Sequence, residues 1–300
     1  MAERNLFHER LSPDDLRELH RRLEGDHSIP AVTRWLASRG VTAVFETETA
    51  GLIPFAADRL IESKDRLARD VDMVLVLGGD GTLLSMADCI GEAGSGIPIL
   101  GVNFGSLGFL TEVTLPELYR SLDAALSGRA HIEERLMLRS TTLRDGALFA
   151  QSIALNDAVI TKAARSRMID LSVSVGGEFV TRVKADGLIV ATPTGSTAYN
   201  LAAGGPIVQP VVDAIVLTPI APHMLTNRPI VIPASSLVRV QPMMNERDEI
   251  YVTFDGQAGY QLQAGDEVRI QCAERRVRLL RPLKRSYFEV LRQKLKWNER

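Results

Sequence analysis

Residues 71–77, Val-Asp-Met-Val-Leu-Val-Leu, form a nearly continuous apolar run of strand length that ends abruptly at Gly78-Gly79-Asp80-Gly81-Thr82 and gives way to a helical pattern reaching Ile90. A run that is apolar at both odd and even positions has no face to offer to water. It belongs in a parallel sheet covered by helices on both sides. A second such run occupies 97–102, and helices are predicted over 12–24, 30–39, 59–68 and 116–126, with a further strand over 41–45. Strand, turn, helix and strand in this order specify a Rossmann-like βαβ sheet.

The texture changes near residue 130. Short β-branched runs follow at 138–144, 152–161, 169–175, 178–184, 188–192, 230–233, 237–242, 250–254 and 267–280, separated by turn signals such as Asp145-Gly146, Gly176-Gly177 and Asp255-Gly256. One helix is predicted near 197–204. The reading is therefore an α/β domain over 1–130 and a β-rich, sandwich-like domain over 131–280. A terminal helix over 281–300 carries Tyr287, Phe288, Leu291 and Leu295 at helical spacing, and is expected to pack back on the first domain rather than lie on a membrane.

Composition excludes several classes of function. Lys plus Arg number 35 against 37 Asp plus Glu, so no bulk positive field exists to bind nucleic acid or an anionic membrane, and any anion must be met locally. The longest uncharged stretch, 187–212, is interrupted by Pro193, Pro206 and Pro210 and cannot span a bilayer. The charged N-terminal segment lacks a secretory pattern, and the two cysteines, Cys89 and Cys272, lack metal-ligand spacing, which gives the expectation of a cytoplasmic protein with reduced thiols.

The glycine-rich turn carries the chemistry. Consecutive glycines let backbone N–H groups approach an anion, and the helix that follows adds the positive end of its dipole. Asp80 is out of place in a simple phosphate cradle, because its charge repels phosphate unless it orients a hydroxyl, takes its proton or helps place Mg²⁺. The alternative is a tight structural turn with a capping aspartate. Further along, Thr192-Pro193-Thr194-Gly195-Ser196-Thr197 gathers hydroxyls at a helix start, suited to phosphate or ribose or simply to capping. Tyr199 fits either an adenine face or the core, and the residues alone do not choose. Asn156-Asp157 interrupts a strand-like run and reads as a ligand pair or a strand-end turn. Lys184 and Asp186 share one side of a strand, as site residues or as an ordinary ion pair.

Taken together, Gly78-Gly79-Asp80-Gly81-Thr82-Leu83-Leu84, the glycine-punctuated 101–111 segment, Asn156-Asp157, the stretch from Asp186 to Tyr199 and Asp255-Gly256-Gln257 resemble the signatures of NAD kinases, across residues 71–257. The first motif is shared in looser form with lipid and sphingoid-base kinases. The Asp186 to Tyr199 stretch argues against those, and the intact Asp80 against a non-catalytic NAD(P)-binding sensor. The resemblance implies transfer of the ATP γ-phosphoryl group to the 2′-hydroxyl of the adenosine ribose of NAD, with Mg²⁺ carried on the ATP phosphates and a homodimeric or homotetrameric assembly. It implies Asp80 as the base or orienting group and Gly81 as part of its turn. It places Asn156 and Asp157 on a ribose, Lys184 and Asp186 near the nicotinamide, and Thr197, Ala198, Tyr199 and Ala202 around adenine and ribose. Phe109 lines the adenine pocket, Arg167 and Gln257 make further contacts, and Gly79, Thr82, Asn103 and Thr194 complete the nucleotide-binding set. Departures from the family pattern are Phe104 and Ser106 where many members carry Arg, Asp157 where Glu is commoner, and Ala202 in place of Ser. Met1 to Arg10 offers no leading apolar strand, so the first sheet is expected to be one strand short.

Overall fold

The computed structural model describes residues 28–51, 60–105, 107–163, 168–224, 226–244, 248–282 and 285–297; the predicted helix over 12–24 lies outside them, as does the segment expected to lack a leading strand. The chain divides into two compact units, one drawn from the described residues of Arg10–Glu134 with Val277–Arg300, the other Arg135–Arg276.

In the first unit, Ser28 caps α1 (Ile29–Ala37) by accepting from the Ala31 amide at 3.4 Å. A parallel pair, β1 (Val44–Glu46) and β2 (Leu60–Glu62), brackets α2 (Thr47–Gly51). The helix predicted over 59–68 is in fact β2 followed by α3 (Lys64–Asp70), because Ser63 caps a later start and releases Leu60 and Ile61 to the strand. Then come β3 (Val74–Leu77), α4 (Asp80–Ala93), β4 (Ile99–Asn103), the short β5 (Val113–Thr114), α5 (Leu118–Leu126) and β6 (His131–Arg135). β3 and β4 pair in parallel, as the apolar runs require. Val32, Leu100, Val102, Val113, Leu118 and Leu122 close one core around them.

The second unit is a sandwich. Its strands are β7 (Leu138–Arg144), β8 (Ala147–Ala154), β9 (Asp157–Lys162), β10 (Ile169–Val175), β11 (Glu178–Ala185) and β12 (Gly187–Ala191), then, after the single-turn α6 (Tyr199–Ala202), β13 (Ala214–Ile220), β14 (Ile230–Pro233), β15 (Val238–Pro242), β16 (Ile250–Phe254), β17 (Ala258–Leu262) and β18 (Glu267–Cys272). They form two six-stranded sheets, in the orders β11-β10-β15-β18-β7-β8 and β14-β13-β12-β9-β16-β17. Alternate residues of both sheets, among them Leu138, Leu171, Val240, Ile160, Leu188 and Phe254, fill the space between. On the outer face of the second sheet, Val159, Ile189, Ala191 and Val216 are covered by Ala203 and Val208 of the segment around α6.

The chain then returns to the first unit. β19 (Val277–Arg281) enters the parallel sheet between β4 and β6, and α7 (Tyr287–Leu295) follows, capped by a reciprocal Ser286–Glu289 box and burying Val290 and Leu291. No described helix is long and apolar enough to cross a membrane. Both cysteines are free thiols.

Candidate active site

The turn after β3 places the strongest motif at the N-terminus of α4. Gly79 is the N-cap and supplies no side chain, while Asp80 and Gly81 form the first turn, two residues earlier than the sequence pattern suggests. Asp80 does not cap its own helix. Its carboxylate crosses to the loop after β4, where Oδ2 accepts from the Phe109 amide at 2.8 Å and Oδ1 from the Leu110 amide at 3.1 Å, the Thr111 amide at 2.9 Å and the Thr111 hydroxyl at 2.8 Å. Asn103 extends the network by donating Nδ2 to Thr111 Oγ1 at 3.0 Å and accepting the Gly105 amide at 2.8 Å. The approach is so close that a Cβ at Gly108 would stand 2.1 Å from Asp80 Oδ1 and 2.3 Å from Thr111 Oγ1. Glycine is required there by contact, since both atoms are held in the network, whereas at Gly101 a Cβ would stand 2.7 Å from Leu83 Cδ1 and 3.2 Å from the Thr111 Cα, so Leu83 would have to move. Asp80, Asn103 and Phe109 thus come together, with Gly79, Gly81 and Thr82 exposed on the helix start. Gly108 and Thr111 were not singled out from the sequence; a polar residue closing a glycine-spaced loop was the available signal. Ser106 lies outside the described residues.

The sandwich repeats the device. Asp255, at φ 50° beside Gly256 at φ 66°, turns its carboxylate onto the start of β9. Three successive amides donate to it, Leu155 at 2.7 Å, Asn156 at 2.8 Å and Asp157 at 2.9 Å. This clip is the physical reason the run predicted over 152–161 breaks into β8 and β9, and why Asn156 and Asp157 sit at a strand start. Asp157 is buried, and burial together with the Asp255 charge pushes its carboxyl up to about 7. Burial also raises Asp255, against the pull of its three amide bonds. Those bonds favour the ionised form, so Asp255 is the anion of the pair and Asp157 takes the proton. Gln257, next in the turn, bonds through its amide to the Phe254 carbonyl at 2.9 Å.

The hydroxyl-rich segment is mostly engaged by itself. Thr192 donates to the Leu155 carbonyl at 2.6 Å and accepts the Gly195 amide at 3.0 Å, while Ser196 bonds the Pro193 carbonyl at 2.6 Å. A Cβ at Gly195 would lie 2.1 Å from the Asn156 carbonyl oxygen, so this turn rests directly on the Asn156-Asp157 start. Thr194 is buried and accepts from Arg135 Nη1 at 3.4 Å. The capping alternative thus accounts for Thr192 and Ser196. Thr197 and Ala198 remain partly exposed, and Ala202 and Tyr199 are exposed, Tyr199 at 47%, which removes it from the core. Lys184 and Asp186 do not pair: Asp186, at the bend between β11 and β12, meets Lys162 at 3.1 Å, and Lys184 is exposed. Arg167 lies outside the described residues. Among the described residues, no group of three or more His, Cys, Asp or Glu side chains is placed to hold a metal ion.

Comparison with known proteins follows the same two units. The model of the ATP-NAD kinase N-terminal domain matches residues 23–130, and that of the ATP-NAD kinase C-terminal domain matches residues 155–282. The NAD kinase of Geotalea daltonii is 46% identical over 269 residues, covering 90% of this chain and 93% of that protein. The NAD kinase of Geobacter sulfurreducens is 49% identical over 266 residues, covering 89% and 92%. Among solved structures, yeast NADH kinase complexed with NADH aligns at TM-score 0.79 and 26% identity over 95% of this chain and 84% of that one. An NAD kinase from Archaeoglobus fulgidus in complex with ATP aligns at TM-score 0.69 and 25% identity over 90% and 96%. On both sequence and fold, this chain belongs to the NAD kinase family.

Proposed function

We propose that this chain transfers the γ-phosphoryl group of ATP to the 2′-hydroxyl of the adenosine ribose of NAD, giving NADP and ADP. The bond from the γ-phosphorus to its bridging oxygen breaks, a bond to the ribose 2′-oxygen forms, and the hydroxyl proton leaves. Little covalent work falls to the protein in such a transfer, and positioning and electrostatic support dominate. The observation that carries the reading is Asp80 at the start of α4, fixed by four hydrogen bonds to one loop.

A carboxylate offers about four acceptor directions. Oδ1 has three donors and Oδ2 one, so Oδ2 keeps a direction open for the ribose hydroxyl and its proton. The glycine-capped helix start, with Gly79, Gly81 and Thr82 exposed, supports phosphate binding. Asn156 and Asp157 are assigned to a ribose, Tyr199 with Thr197, Ala198 and Ala202 to the adenine and its ribose, Phe109 to the adenine pocket, and Asp186, Lys184 and Gln257 to outer contacts. The described residues offer no carboxylate cage, so the divalent cation is assigned to the ATP phosphates, entering as part of the substrate.

The assembly is assigned as a homodimer or homotetramer joined through the sandwich. The edge strands β11 and β14 expose Phe179 at 65% and Val231 at 51%, beside an apolar cavity of about 210 Å³ lined by Val180, Val183, Leu188, Leu217 and Ile230. Two free thiols support a reducing, cytoplasmic setting.

The test is NADP formation from Mg-ATP and NAD, with diacylglycerol as the competing acceptor. Phosphorylation of NAD is expected, and phosphorylation of the lipid alone overturns the reading. Asp80→Asn is expected to lower kcat by at least about 100-fold; unchanged turnover removes Asp80 from its role.

A further inference from the structure

Asp80 holds the 109–111 loop from one side, and Arg281, Arg285 and Lys294 meet it and the residue that follows it from the other. Glu112, directly after Thr111, is 3% exposed, and its Oε1 lies 2.6 Å from Arg281 Nη1. Arg281 is buried as well and also faces Glu133 Oε2 at 3.4 Å. Arg285 donates Nη1 to the Glu112 backbone carbonyl and Nη2 to Glu117 at 3.0 Å, and Glu117 closes the turn by accepting the Thr114 amide at 3.0 Å and its hydroxyl at 2.8 Å. Lys294 of α7 stands 5.7 Å from the centre of the Phe109 ring.

Buried ion pairs are a poor device for stability, since well-packed apolar residues of similar volume usually serve at least as well. Their advantage is fixed geometry, above all for the planar guanidinium. Here the geometry converges on one short stretch. The described residues of 104–111 include no cation of their own, so every charged grip on this stretch comes from elsewhere in the chain.

We propose that Arg285 is a positioning residue for phosphoryl transfer, in the reading of the chain as an NAD kinase. Through the Glu112 carbonyl it fixes the peptide between Glu112 and Val113, the second after Thr111, and so keeps the Thr111 amide and hydroxyl on Asp80 Oδ1. Arg281 holds the same residue through the Glu112 side chain. Loss of Arg285 lets the loop shift by a fraction of an ångström to an ångström, which misaims Asp80 without removing any group that touches substrate.

The experiment compares Arg285→Ala, Arg285→Lys and the control Arg129→Ala, whose exposed pair with Asp123 lies elsewhere in the same unit. Each is measured for kcat, for KM of NAD and ATP, and for amide hydrogen exchange at 109–111. Arg285→Ala is expected to lose about 10- to 100-fold in kcat with both KM values within about threefold, and to exchange those amides at least about tenfold faster. Arg285→Lys keeps the charge but cannot reach Glu112 and Glu117 together, so it is expected to fall between, and the control to match the parent. Unchanged kcat with unchanged exchange overturns the proposal, as does a rise in KM at constant kcat, which marks a substrate contact instead. If Arg285→Ala folds poorly, Arg285→Lys carries the same comparison. A parent protein that makes no NADP overturns the functional reading, while the exchange rates still decide whether Arg285 holds the loop.

Discussion

An aspartate that accepts three or four backbone and hydroxyl donors has few substitutes, and the described residues include two of them, Asp80 and Asp255. Their neighbours are constrained by contact. Gly108→Ala is expected to force a Cβ against Asp80 Oδ1, where only 2.1 Å is available, and to cut kcat by about 100-fold or more, read in the NADP assay. Asp157 is expected to set a pH dependence. Its carboxyl is raised to about 7 when folded, against an ordinary value of 3.8, so the folded chain binds more protons than the unfolded chain between those limits. Stability therefore falls as pH rises through that window and levels off above it. Asp157→Asn removes the fall: its melting temperature should exceed the parent's by a margin that grows by several degrees from pH 5 to pH 8, in thermal scans without ligand. On the proposed placement of Asp157 against a ribose, the ionised parent is expected to accept the ribose hydroxyls better than the neutral one, so its KM for NAD should fall as pH rises through 7, whereas the variant stays flat.

At the scale of elements, the start of β9 is held by two pieces far from it in the chain: Asp255 from the β16–β17 turn, and the turn after β12, which supplies Thr192 and presses Gly195 on the Asn156 carbonyl. Thr192→Val leaves the Leu155 carbonyl and Gly195 amide without their partner and is expected to cost about 2 kcal/mol or more in urea unfolding. The buried parallel strands β3 and β4 were legible because continuous apolar runs admit one environment. The sandwich strands β7, β10, β14 and β16 were legible from alternation between turn signals. β13 was not, because Pro219 speaks against an interior strand; it is tolerated because β14 pairs only with 214–217, leaving no partner for a donor at 219. β17 hid behind Gly259, which the Val252 carbonyl approaches too closely for any Cβ. The site motifs were visible as clusters, but which groups hold the turn and which face outward depends on contacts across 30 to 100 residues that no local pattern encodes. Thr111 and Asp255, the partners of the two clips, are of this kind.

For the whole molecule, a near-balanced charge of 35 against 37 leaves recognition to local donors, and the proposed assembly rests on the apolar edges of the sandwich. Val231→Glu is expected to shift the assembly toward monomer in sedimentation velocity while each chain stays folded; an unchanged sedimentation coefficient removes β14 from the interface. The position of β19 has a consequence for biosynthesis. This strand lies inside the parallel sheet, between β4 and β6, yet it is made only after the entire sandwich. At 5–20 residues per second, the interval from Arg135 to Val277 is roughly 7–28 s. Throughout that time the first unit has an open slot in its sheet, exposing a strand edge to chaperones, and a transcript cut short within the sandwich yields a chain whose glycine-rich turn is present but whose supporting sheet is never closed.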